Sequence, residues 1–195
     1  GGAEALLWGD GGEGRGRSGQ CGGMTGGAVS GGCWCTRAAL GEARGVAGAL
    51  GIGHNVLHLE DEFRRDVVRP FVAFYLAGET PIPCSSCNAK VKFATLWDRA
   101  RALGCAAVAT GHYVRAEPDA SGRMRLRKGS DPAKDQSYFL YDLTPEQLAA
   151  ARFPVGGMTK SEVRGHARRA HLPTADKQES QEICFVPPGT RAGEF

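Results

Sequence analysis

The chain has 195 residues, 29 of them Gly, seven Cys and a formal net charge of +3. Gly is at about twice its usual share, and 14 of the 29 fall in residues 1–32, which leaves enough ordinary sequence for one α/β domain and too little for two. No apolar run reaches the ~20 residues a membrane helix needs, and no basic start with an apolar h-region marks secretion. An odd number of Cys without a secretion signal fits reduced thiols with metal or catalytic roles, hence a cytoplasmic protein. So small a net charge permits a nucleic-acid partner without demanding one.

Residues 1–32 read as a Gly-rich, low-complexity, disordered stretch that buries too little apolar area to offset chain entropy. From residue 38 a regular pattern begins. Leu40, Ala43, Ala47 and Leu50 space a helix that stops at Gly51. Asn55 to Leu59 alternate as a short strand. Phe63, Val67, Phe71 and Phe74 mark a helical face, with Pro70 opening a second helical piece. Gly78 to Cys87, punctuated by Pro81 and Pro83, reads as an ordered loop. Val91, Ala94, Leu96, Trp97 and Leu103 then predict a helix ending at Gly104. Ala106 to Thr110 is a small-apolar run typical of a buried parallel strand. Arg123 to Lys128 is an exposed strand after a Gly122 turn. Thr144 to Gln147 and Thr159 to Glu162 are capping boxes that open two further helices. Helices alternating with short strands indicate an α/β fold, a parallel sheet flanked by helices.

Four constellations could carry chemistry. Cys84-Ser85-Ser86-Cys87-Asn88 precedes the predicted helix. A thiol at a helix N-terminus, with Lys90 and Lys92 nearby, gains thiolate character, so Cys87 is either a reactive thiol or half of a structural zinc site. Cys184, in a short apolar run, is a buried small residue or a second reactive thiol. Gly111-His112 follows the strand 106–110, at the end where open α/β sheets bind ligands; it is a ligand contact or a plain turn. Lys134-Asp135-Gln136-Ser137-Tyr138, after the basic stretch Arg123 to Lys128, suits phosphate and base contacts in RNA, or is a solvated edge.

These segments share an order. Gly78 to Asn88, Lys92-Phe93, Ala109 to Tyr113, Lys134 to Leu140, Phe153 to Gly156 and Ser180 to Phe185 together resemble the tRNA-specific 2-thiouridylase (MnmA/TrmU) family, over residues 33 to about 190. The resemblance implies an adenine-nucleotide α-hydrolase-like (PP-loop) fold. It implies a sulfurtransferase that replaces the C2 oxygen of the wobble uridine in tRNA by sulfur. ATP with Mg2+ would activate that oxygen, and a persulfide sulfur donor protein would supply the sulfur to a monomeric enzyme. By the same resemblance Cys87 is the nucleophile, Cys184 carries the persulfide, and the two can pair as a disulfide when sulfur leaves. Gly111 contacts ATP; His112, Lys134, Asp135 and Gln136 contact tRNA; Ile82, Pro83 and Cys84 meet the target base. Cys84 stands where many members have Asp. With Cys84, Cys87 and Cys184 all thiols, an iron–sulfur cluster or metal-binding module is the competing reading; another PP-loop tRNA-modifying enzyme is a further one. The family's SGGxDS loop is not matched: Ser30-Gly31-Gly32 lacks the Asp-Ser and sits too near Cys87. The sequence therefore reads as an incomplete member, 33–190 being a partial catalytic domain without the family's central and C-terminal β domains, with at most residual activity.

Overall fold

A computed structural model describes residues 4–8, 37–178 and 183–186. They divide into two compact units, residues 1–60 with 172–195, and residues 61–171.

In the first unit, strand β1 (Glu4–Trp8) pairs in parallel with β2 (Gly53–Leu57), with Glu4 opposite Gly53 and Trp8 opposite Leu57. Helix α1 (Arg37–Leu50) precedes β2 and packs on it. The predicted helix and its stop are both present. The strand lies two residues earlier than the alternation suggested. β1 falls inside the Gly-rich stretch, on its longest run of consecutive apolar residues, Ala5 to Trp8.

The second unit holds the candidate site. Its first helical run, whose first residue Glu60 ends the first unit, is α2 (Glu60–Phe63), a π segment (Arg64–Val68) and α3 (Arg69–Leu76). The sequence predicts a break at Pro70, yet the run continues. The N–H of Arg69 bonds the Arg64 carbonyl, a wide π turn, and Pro70 follows in the first turn of α3, where its missing N–H costs little. Phe63, Val67 and Phe71 are buried as expected, whereas Phe74 is 48 % exposed.

The second run is α4 (Pro83–Ser86), a nine-residue π segment (Cys87–Thr95) and α5 (Leu96–Ala102). It begins earlier than predicted, because Pro83 takes the first helical position. It ends at Gly104 as predicted. There a φ of +81° lets the N–H of Cys105 reach back to the Ala100 carbonyl at 2.9 Å, a closure that L side chains resist. Val91, Phe93 and Ala100 are buried on this run, and Leu103 is 57 % exposed. Val91 and Phe93 are two residues apart, so they project to nearly opposite sides. The helix is covered from two directions, which a search for one apolar face does not find.

Strand β3 (Val108–Ala109) pairs in parallel with β6 (Ala151–Arg152), and the N–H of Thr110 adds a bond to the Arg152 carbonyl at 3.0 Å. The parallel strand is present, though shorter than predicted. Strands β4 (Val114–Pro118) and β5 (Met124–Lys128) form an antiparallel hairpin, with Val114 opposite Lys128. The turn is fixed by Asp119, whose carboxylate accepts from the Ser121 N–H and hydroxyl and from the N–H of Arg123. Both capping boxes are made: Thr144 with Gln147 opens α6 (Pro145–Ala150), and Thr159 with Glu162 opens α7 (Lys160–Arg169). No helix among the described residues is long and apolar enough to cross a membrane.

Gly156 is the tightest backbone approach in this unit. A Cβ there would lie 1.7 Å from the Val114 carbonyl oxygen, whereas one at Gly157 meets nothing within 4 Å. Gly156→Ala is therefore expected to destabilise the protein by about 2 kcal/mol or more through forced backbone displacement. Gly157→Ala should stay within about 0.5 kcal/mol. Urea-unfolding midpoints of the two variants check this; equal midpoints would contradict the packing.

Candidate functional site

The site is built on the start of the second helical run. Ile82 caps it through backbone alone, with φ −108° and ψ 89° and no side-chain cap bond. The Ser85 hydroxyl donates back to the Ile82 carbonyl at 3.1 Å. Pro83 and Ser85 are buried, Ile82 and Ser86 half-buried, and Cys84 exposed. Cys87, one turn further in, is half-buried and unbridged. At the start of this helix a cleft of about 310 Å³ is lined by residues that include Phe71, Thr80, Ile82, Pro83, Ser86 and Tyr141, with neither Cys84 nor Cys87 in its lining.

The thiolate expected at Cys87 is not realised. The helix opens at Pro83, so Cys84 occupies the first turn and Cys87 lies beyond it. Burial pushes the Cys87 thiol up; the Lys92 ammonium pulls it down by less, and Cys84 adds to the rise. Desolvation penalises a buried anion more than one nearby cation compensates.

The next residue explains why this turn is held in place. Asn88 is 2 % exposed and its Nδ2 donates to the Phe139 carbonyl at 2.9 Å. One residue on, the Gln147 Nε2 donates to the Ala89 carbonyl at 2.9 Å. Both bonds tie the Cys87 helix to the segment 137–148. Sequence reasoning missed Asn88; its only signal is a polar side chain within a helix whose neighbours are buried.

Gly111 and His112 follow β3 at its C-terminal end, as predicted. Gly111 is exposed, and a Cβ built on it meets nothing within 4 Å, which leaves room for a ligand against the backbone. His112 lies between two rings, Phe93 at 6.2 Å and Phe153 at 6.5 Å between centroids. Its Nδ1 is 2.8 Å from the Thr110 hydroxyl. Burial, with a smaller push from the Lys92 charge, lowers its pKa to about 3. The imidazole is therefore neutral at physiological pH, with one nitrogen engaged by Thr110. The pairing of Phe93 with Phe153 around it comes from tertiary structure and has no local signature.

Lys134, Asp135 and Gln136 form a loop folded on itself. The Asp135 carboxylate accepts from the N–H groups of Gly129 and Ser137 and from the Ser137 hydroxyl. Desolvation works against the charge, but these donors together hold it below the usual carboxylate range. Gln136 exchanges two bonds with the Tyr113 backbone: its Oε1 accepts from the Tyr113 N–H at 3.0 Å, and its own N–H donates to the Tyr113 carbonyl. Asp135 and Gln136 thus shape the loop that carries Lys134. In the basic hairpin, Arg125 pairs with Asp119 and Arg127 with Glu117, so much of its charge is compensated within the hairpin.

Ile82, Pro83, Cys84, Cys87, Gly111, His112, Lys134, Asp135 and Gln136 all belong to the second unit. Cys184 belongs to the first, half-buried in the turn Ile183 to Val186. Ser30-Gly31-Gly32 and Ser180-Gln181-Glu182 lie outside the described residues. Among the described residues no three His, Cys, Asp or Glu side chains are grouped to hold a metal ion.

Residues 25–188 match the family model described as tRNA methyl transferase HUP domain. The HUP domain is an α/β fold in which helices flank a parallel sheet, as in the two parallel pairings above. Similar proteins include three named tRNA-specific 2-thiouridylase MnmA. The one from Methylorubrum populi is 52 % identical over 158 residues, 81 % of this chain and 41 % of the relative. The one from Geotalea uraniireducens is 55 % identical over 153 residues, 78 % of this chain and 41 % of the relative. The one from Heliobacterium modesticaldum is 50 % identical over 160 residues, 82 % and 41 %. The chain spans about two fifths of the length of these curated relatives.

Lys92 acts on both Cys87 and His112, lowering the pKa of each. Lys92→Gln should therefore raise both. The pH dependence of Cys87 alkylation should move further above the ordinary thiol range, and the His112 ring resonances should titrate at higher pH. The unfolded chain binds a proton at His112 below about pH 6.5 and the folded one only near 3, so this residue's contribution to stability is lost as pH falls through that window. A variant in which either group titrates at lower pH would contradict the assignment.

Proposed function

The chain belongs to the tRNA methyl transferase HUP-domain family, and on that basis we propose that it carries the thiol chemistry of tRNA 2-thiolation. The observation that carries this reading is the level of identity with 2-thiouridylases, about one residue in two. The family match also includes both Cys87 and Cys184 within residues 25–188.

On this reading the substrate is the wobble uridine of tRNA. Its C2 oxygen leaves poorly from a urea-type carbon, so esterification to the AMP of ATP makes it a leaving group. The outer sulfur of a Cys184 persulfide, loaded by a donor protein, bonds to C2 as AMP leaves. The Cys87 thiolate then attacks the Cys184 sulfur, which releases the new C2 sulfur and leaves a Cys87–Cys184 disulfide for an external thiol to reduce. Burial keeps Cys87 protonated at rest, guarding it from indiscriminate reaction. The Lys92 ammonium favours the thiolate when the proton departs. Neutral His112 offers an RNA group a hydrogen-bond partner without attracting its phosphates. Gly111 presents open backbone to the nucleotide, with Mg2+ accompanying ATP. Ile82 and Pro83 line the cleft at the start of this helix and Cys84 follows them in sequence, a suitable rim for the target base. Lys134, on the loop shaped by Asp135 and Gln136, supplies a cation for the RNA backbone. A cytoplasmic setting, where thiols stay reduced, suits this chemistry.

The test is nucleoside mass spectrometry of tRNA transcripts incubated with the chain, ATP, Mg2+ and a persulfide source. The expected product is 2-thiouridine at a low, residual yield, because the family's SGGxDS loop is not matched in this sequence, and Cys87→Ser or Cys184→Ser should each abolish it, as loss of a covalent nucleophile does. A thiolated cytidine, or undiminished 2-thiouridine from Cys87→Ser, would overturn the reading.

A further inference from the structure

Cys84 and Cys87 share one helical turn with two residues between them. The N–H of Cys87 is divided between the carbonyls of Cys84 and Pro83. A bond to the residue three back gives the turn 3-10 character, in which side chains three apart lie one over the other. Helical neighbours at this spacing have Cβ atoms about 5–6 Å apart, and a disulfide needs about 3.5–4.5 Å. Closing the gap asks for a shift of roughly 1–2 Å.

That shift falls before the two side-chain hydrogen bonds that tie the helix to a distant segment. Upstream of Asn88 the turn is held by the Ile82 cap, which lacks a side-chain bond, and by Ser85 bonding locally to Ile82. From Asn88 onward the helix is pinned to Phe139 and Gln147. Cys84 is exposed and Cys87 half-buried, so a soluble reactant meets Cys84 first.

The geometry points to Cys84 and Cys87 as a dithiol redox pair that closes to an intrahelical disulfide by exchange with a small-molecule disulfide such as oxidised glutathione. The Cys84 thiolate attacks one sulfur of that disulfide and expels the first small thiolate. The Cys87 thiolate then attacks the Cys84 sulfur of the mixed disulfide and expels the second. Two electrons pass from the pair to the oxidant, and the two protein protons end on the two released thiols. In the bridge Cys87 is no longer a nucleophile, so the pair gates the thiol chemistry proposed above. The pairing itself does not rest on that reading.

The test equilibrates the full chain in glutathione buffers, quenches with acid, alkylates, and maps peptides by mass spectrometry, with no tRNA present. The peptide holding Cys84 and Cys87 should appear two hydrogens lighter, with an oxidised-to-reduced ratio proportional to [GSSG]/[GSH]². Cys105 should remain alkylatable and serves as the internal control. In Cys84→Ser, Cys87 should yield at most a glutathione adduct, which follows [GSSG]/[GSH] to the first power. Both thiols remaining alkylatable throughout, separate glutathione adducts on each, or Cys87 bridged to Cys184 would each overturn the proposal.

Discussion

The Asn88 side chain sets the geometry on which the candidate site depends. An amide so deeply buried is costly unless its polar atoms are engaged. Its donor bond to the Phe139 carbonyl meets half of that demand, while its Oδ1 has no partner. The Gln147 bond to Ala89 adds a second fixed point on the same face. These two bonds set the rotation of the helix about its axis. That rotation leaves Cys87 half-buried, sends Phe93 toward His112 and Phe153, and leaves Cys84 outside.

The same rotation makes one cation serve two groups. Lys92 lies one turn beyond Cys87 and acts on both Cys87 and His112. For the thiol it opposes burial, and burial wins. For the imidazole it reinforces burial, so the ring stays neutral. A half-buried protonated thiol and a neutral imidazole carry little standing charge. On the proposed reading this suits contact with a base, and the loop bearing Lys134 would meet phosphate.

Much of the fold was legible because its signals are local. The capping boxes at Thr144 and Thr159, the glycine stop at Gly104 and the small-apolar run before Thr110 each rest on residues within a few positions of one another. What escaped depends on residues far apart or on a changed helical period. The π segment Cys87–Thr95 shifts the register, so of the predicted face of Val91, Ala94, Leu96, Trp97 and Leu103 only Val91 is fully buried, and Phe93 and Ala100 are buried instead of the rest. Phe93 is buried by Phe153, sixty residues later. Cys87 was expected to be acidic because the helix start was placed after it; Pro83 moved that start forward, and burial reversed the sign. The order of the motifs, rather than any one of them, carried the family resemblance, and the similarity to 2-thiouridylases agrees with it.

The central claim is that Asn88, through its bond to Phe139, keeps Cys87 half-buried and slow to react. It is tested most directly by the rate of iodoacetamide alkylation at neutral pH, resolved by peptide for Cys84 and Cys87, in the native chain and in Asn88→Ala. Loss of the bond should speed alkylation of Cys87 by about tenfold, the equivalent of ~1.4 kcal/mol, and leave exposed Cys84 unchanged. Equal Cys87 rates in the two proteins, with the variant folded by circular dichroism, would contradict it.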